Sequence, residues 1–413
     1  MATPVLEQME TARQAALAVL KPSSKDLDHG LQLHADAVVC DAYGFGPSAA
    51  VDGDELRRMH EAGASDEELK DAVERMHATR VATDPLERRD YEAAWRASGV
   101  TCLVRNSAEE DRPIDDMVKR LAYQTFVTDR MGHLVRKAIR PADVEAAKRD
   151  GRGVIMMAAN NVPIPQRWAS VHDELGHVRI FYMLGVRTMH LTYNRRNPIG
   201  DGCGEPADAG LSDFGHAVVA EMNRVGVLVD VAHAGQRTSL EAARASSVPM
   251  AASHTVCRGL RDHVRGKTDE VIRAIADTGG YVGICGIPAF LGRSGDIAAL
   301  LDHVDYAARL VGPDHVAIGT DRGIHATRNE QEMAKLPPRR RTRRHWRSLW
   351  PPDDPLFDPA WNRSEQTASL LWTNWPLLTV GLVQRGYRDE DIRKIIGLNV
   401  LRVARAVFRE RTV

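Results

Sequence analysis

Eight apolar runs, each about one β-strand long, alternate with helix-period segments, and this alternation constrains the fold more than any other feature. The runs are AVVCDAYG at 37–44, GVTCLVRN at 99–106, GVIMMAANN at 153–161, VRTMHLTYN at 186–194, GVLVDVAH at 226–233, VPMAASHT at 248–255, GGYVGICG at 279–286 and HVAIGTD at 315–321. Their apolar residues are continuous and do not alternate with polar ones, so both faces of each strand are expected to be covered, as in a parallel sheet between helices. Eight such units favour a closed (β/α)8 barrel, the TIM barrel of the α/β class, over an open sheet. A chain of 413 residues with 43% apolar side chains can fill its core. No repeat of about 20–50 residues is visible.

The expected organisation is an N-terminal helical extension over 1–32 followed by the barrel over 33–413, with insertions at about 46–95 and 324–360. The opening MATPVLEQMETARQAALAVLKPSSKD reads as an amphipathic helix stopped near Pro22. It lacks an uninterrupted apolar core, so no secretory signal is expected and the cytoplasm is the expected location. Residues 46–95 read as charged helix with no strand of their own. The second insertion carries seven basic residues between Lys335 and Arg347, and its proline pairs at 337–338 and 351–352 argue against a helix there. That run reads as a solvated loop or as a subunit contact, which would make a homodimer.

A net charge of -1 argues against a nucleic-acid partner. No stretch reaches the ~20 apolar residues that a membrane helix needs, so no membrane partner is expected. Cys40, Cys102, Cys203, Cys257 and Cys285 form no C-x-x-C pair, which fits reduced thiols and argues against a cysteine zinc site.

In a parallel barrel the reactive groups gather at the C-terminal ends of the strands. Here those ends offer His233, His254 and Asp321. A lone histidine is usually a satisfied core or surface residue. Two that close consecutive apolar strands, with a carboxylate at a later one, form a plausible divalent-metal constellation.

The segment GLSDFGHAVVAEMNRVGVLVDVAHAGQRTSLEAARASSVPMAASHT resembles the membrane (renal) dipeptidase family of metal hydrolases, whose pattern is GLT-x-FG, NRLG, LVDLSH and P-V-I-x-SHS. The resemblance continues through Asp262-His263-Val264-Arg265-Gly266-Lys267-Thr268-Asp269, through DHVDYAARLVGPDHVAIGTD and into RGYRDEDIRKIIGLNVLRV. It implies that His233 and His254 hold a metal, that Arg265 grips a substrate carboxylate, and that Asp321 is a metal ligand or general base.

Other positions depart from the family. Its first strand ends D-x-H-x-D, and here Asp41, Tyr43 and Phe45 stand at the three fixed places. The bridging glutamate of the third strand is replaced by Asn160 or Asn161, and the substrate-facing histidine of the fourth by Tyr193. A neutral phenol is a poor zinc ligand and phenylalanine is none. The expectation is therefore one zinc ion, held by His233 and His254 with Asp321, Asn160 or Asn161. Asp321 would accept a proton, Tyr193 would donate to an oxyanion, and Arg265 would hold a small, carboxylate-bearing amide or dipeptide-like substrate. The alternatives are a decarboxylase or other carbon-bond lyase on the same barrel, and a non-catalytic binding homologue.

Overall fold

The computed structural model describes residues 4–107, 114–325, 328–336 and 344–408. All eight expected strands form. They are β1 (Cys40–Gly44), β2 (Cys102–Asn106), β3 (Gly153–Ala159), β4 (Val186–His190), β5 (Leu228–Asp230), β6 (Ala251–Cys257), β7 (Tyr281–Ile284) and β8 (Val316–Ile318). They pair in parallel in chain order, and β1 to β7 are fully buried apart from the last two residues of β2, as the continuous apolar runs require.

The barrel closes between its first and last strands. The Asp321 amide donates to the Tyr43 carbonyl at 2.9 Å, and the Thr320 amide and hydroxyl donate to the Asp41 carboxylate at 2.8 and 2.6 Å. The same carboxylate receives the indole N–H groups of Trp372 and Trp375, at 3.0 and 3.2 Å. Gly319 is required at this seam, because a Cβ there would lie 2.1 Å from the Ser253 carbonyl oxygen. The chain is thus a (β/α)8 barrel.

Helices Pro4–Leu20 and Ser24–Asp36 make up the N-terminal stretch, with the break at Lys21–Ser23 around Pro22. They dock on helix Trp375–Gln384 through Gln384 to the Leu20 carbonyl and His34 to Thr379. No helix among the described residues is long and apolar enough to cross a membrane.

Two expectations need correction. The 46–95 insertion does contain a strand, Gly46–Ser48, which pairs in parallel with Gly323–His325. Its sequence has turn composition, so only the distant partner makes it a strand. The second insertion holds a short helix at Arg344–Ser348 between its two proline pairs. Most of the basic run lies outside the described residues. At its edges, Lys335 pairs with Asp54 and Glu332, and Arg347 lies over the Phe357 ring.

Candidate metal centre at the barrel mouth

His233 follows β5 and His254 lies within β6, and the barrel brings their rings together. The two Nε2 atoms are 2.9 Å apart, and both side chains are buried. The far nitrogen of each ring is already engaged. His233 Nδ1 donates to Asn194 Oδ1 at 2.7 Å. His254 Nδ1 lies 2.9 Å from Ser253 Oγ, whose hydroxyl is in turn bonded to Asp230. This network fixes both protons on Nδ1 and leaves two Nε2 lone pairs facing each other. Such lone pairs repel unless a cation or proton lies between them. Burial, then the charge of Arg265, pushes both imidazoles well below their usual pKa, so they are neutral and ready to ligate.

The remaining expected ligands do not join this pair. Among the described residues, no third His, Cys, Asp or Glu brings a ligand atom within 4.8 Å of both nitrogens, and the one such triad is Asp52, Asp54 and Glu332, near the surface and partly paired with Lys335. Asp321 therefore does not converge on the histidines as the sequence led us to expect. Its φ of 53° places it in the left-handed region, where its amide serves the barrel seam instead. Asn160 is spent on His190, to whose Nδ1 its side-chain oxygen is hydrogen-bonded. Two histidine nitrogens so placed fit a divalent ion, with water or substrate completing its shell.

His190 was not singled out from the sequence. It ends β4 in register with Asp230 of β5, and its Nε2 lies 2.8 Å from the Asp230 carboxylate, both fully buried. Burial pushes Asp230 up, but His190 and Ser253 outweigh it and hold the carboxylate below its ordinary value. A signal was available: a histidine and an aspartate end two adjacent, fully buried strands, and buried charges need partners.

Aromatic rings wall the pair. Tyr43 stacks on His254, with centroids 3.9 Å apart and planes at 13°, and Tyr193 stacks on His233 at 4.3 Å. Trp346 donates its indole N–H to the Tyr193 hydroxyl oxygen at 3.3 Å. Phe45 turns mostly outward and is 45% exposed.

Arg265 reaches the site because the chain folds back after β6, pairing Gly266–Lys267 with Val256–Cys257. The side chain is buried. Its guanidinium donates to the carbonyls of Ala232 and His254 and lies 3.3 Å from His233 Nε2. Two of the donors expected to meet a substrate carboxylate, Nη1 and Nη2, are therefore held by the barrel itself. Asp321 is raised to about 7 by burial, against the pull of Arg265 and Arg322. Lys267, fully buried, is lowered to about 7 by the same cause.

These features agree with comparisons to known proteins. The chain is 26% identical over 297 residues to the dipeptidase tcpJ of Claviceps purpurea, covering 71% of this chain and 58% of that one. It is 30% identical over 241 residues to the dipeptidase verJ of Clonostachys rogersoniana, covering 56% and 51%. It thus spans little more than half the length of these curated relatives. Among solved structures, an amidohydrolase from Pseudomonas aeruginosa matches with a TM-score of 0.66 at 26% identity, covering 92% of this chain and 99% of that one. A metallo peptidase from Rhodobacter sphaeroides shares the fold, with a TM-score of 0.61 at 16% identity over 90% and 99% of the two chains. A model of the membrane dipeptidase family, peptidase family M19, matches residues 73–337, well over half of the 413, and the chain belongs to that family.

Proposed function

We propose that this chain is a hydrolase of amide or dipeptide-like substrates bearing a carboxylate, working with a single divalent ion, zinc being the expected one. The observation that carries this reading is the 2.9 Å approach of two neutral Nε2 donors whose far nitrogens are held by Asn194 and Ser253. Outer partners of this kind orient ligating histidines in metal sites.

His233 and His254 would hold the ion. When bound, it would polarise the scissile carbonyl and acidify a water molecule. The chain's own residues supply the rest. Asp321, raised to about 7, is ionised in half the molecules near neutral pH, the range in which a general base works best. It accepts the proton of the attacking water and returns it to the departing amine. The Tyr193 hydroxyl, which accepts from Trp346, would turn its own proton toward the developing oxyanion and stabilise it. Tyr43 and Tyr193 shield the reacting groups from bulk water. Arg265 is the cation available to a substrate carboxylate, which must draw the guanidinium away from His233.

The test is turnover of a panel of L,L- and L,D-dipeptides and N-acyl amino acids by zinc-loaded protein, with the His233→Ala/His254→Ala variant as control. Zinc-dependent release of free amine by the parent but not the variant is expected. Carbon dioxide release without hydrolysis, or no turnover by a protein shown to hold zinc, would overturn the reading.

A further inference from the structure

Arg265 lies against one of the two nitrogens that a cation bound by the histidine pair must use. Its guanidinium nitrogen Nη2 is 3.3 Å from His233 Nε2, the atom that faces His254 Nε2 at 2.9 Å. With His233 Nδ1–H directed at Asn194, the ring presents a bare lone pair at Nε2, and Arg265 is the group that donates to it. Arg265 does not lean on the site from solvent, since it is only 1% exposed. Three backbone anchors hold the segment in place. Nη1 and Nη2 bond the carbonyls of Ala232 and His254, the residues beside and within the pair, and the Thr255 hydroxyl bonds the Arg265 carbonyl at 2.5 Å.

We propose that Arg265 is a built-in competitor for the metal: the guanidinium and a divalent ion are alternative partners of the His233/His254 pair. A divalent ion accepted by both Nε2 atoms would sit against a buried guanidinium, and among the described residues no carboxylate lies within ligand reach of both nitrogens to offset the combined charge. Like charges at such separation in a poorly screened site repel strongly. The ion therefore binds fully only when Arg265 lets go of His233. An anionic group that draws the guanidinium outward raises metal affinity, and by linkage the metal raises affinity for that anion. A carboxylate-bearing substrate then assembles its own metal site. This inference rests on the proposed two-histidine site and adds to it a gate made by this chain's own arginine.

The experiment is zinc affinity, measured by chelator competition on the full chain without substrate, for the parent, Arg265→Gln, Arg265→Lys and Arg265→Gln/His254→Ala. Near-UV circular dichroism reports whether each variant is folded. Removing the charge is expected to tighten zinc binding by about tenfold or more, since about 1.4 kcal/mol of relieved repulsion corresponds to that factor. The lysine variant keeps the charge but cannot span both carbonyls, and should fall between the parent and the glutamine variant. The Arg265→Gln/His254→Ala double variant should lose the gain. Equal or weaker zinc binding by a folded Arg265→Gln variant, with the parent binding zinc, overturns the competitor role and leaves the two-histidine site standing. If the glutamine variant does not fold, the lysine variant decides: tighter binding than the parent supports the gate, and equal or weaker binding overturns it. Absence of zinc binding in every variant overturns both readings.

Discussion

Tyr43 lies flat against the imidazole of His254, at a centroid distance of 3.9 Å and an interplanar angle of 13°. In the family pattern the residue at Tyr43 is a histidine that binds a second metal. Here the same place holds a ring that packs on His254, one of the two proposed ligands. The change converts a coordinating position into a wall.

From this follows the metal stoichiometry. The parent should hold at most one zinc ion per chain by elemental analysis after dialysis. Tyr43→His/Phe45→Asp combined with Asn160→Glu or, in a second variant, with Asn161→Glu restores the family residues and should raise the ratio toward two. Two ions in the parent would show that the second site is built from residues other than these.

Asp41 retains the family's residue but serves the barrel seam, accepting from Thr320, Trp372 and Trp375. Burial raises it to about 6 against these bonds. Asp41→Ala would strand several buried donors, each costing about 1–3 kcal/mol when left without an acceptor. We expect a loss of about 3 kcal/mol or more in urea unfolding. The zinc affinity of the folded fraction should change little. A variant as stable as the parent would show that the seam relaxes around the gap.

The strands were legible because parallel strands buried on both faces need continuous apolar residues, a local property. His233 and His254 were legible because each closes such a run. His190 was hidden inside one, and its pairing with Asp230 depends on the register between neighbouring strands. The strand at Gly46–Ser48 has the composition of a turn and owes its conformation to Gly323–His325, nearly 280 residues away. The setting of Arg265 could not be read either. Its place against His233 follows from the chain folding back so that Gly266–Lys267 pairs with the end of β6, which no spacing encodes. Asp321 ends a strand and so reads as a ligand, but its carboxyl does not lie within 4.8 Å of both histidine nitrogens, and it is its backbone amide that serves the seam.

Asp321 sets the expected pH profile. Its carboxyl is raised to about 7, and only the ionised form can accept a proton. kcat/KM for any hydrolysed substrate should therefore rise with pH through about 7 and level off above it. Asp321→Asn should lower the plateau by about 10²- to 10⁴-fold, the usual worth of a general base, and should abolish that inflection. An unchanged inflection in the asparagine variant would assign the titration to another group.

Lys267 gives a prediction about stability alone. Its ammonium end is buried, with Nζ bonded to the Ala234 carbonyl at 2.5 Å and to Ser239 Oγ at 3.1 Å. Burial lowers it to about 7, while an unfolded lysine titrates near 10.4. Below pH 7 both states carry the proton, and the folded protein bears the full penalty of a buried charge. Between about pH 7 and 10 the unfolded chain still binds a proton that the folded one has released, so this group makes stability rise with pH. Lys267→Met removes the term and adds a constant offset for the lost hydrogen bonds. The advantage of the methionine variant over the parent should then shrink as pH rises from 7.5 to 10, by roughly 1.4 kcal/mol per pH unit at the steepest. Urea unfolding of both proteins across that range measures the difference directly. Taking the difference cancels the cysteines and tyrosines that titrate in the same window. A difference independent of pH would mean that Lys267 keeps its proton in the folded barrel, with Asp230 or Asp208 nearby as the compensating charge.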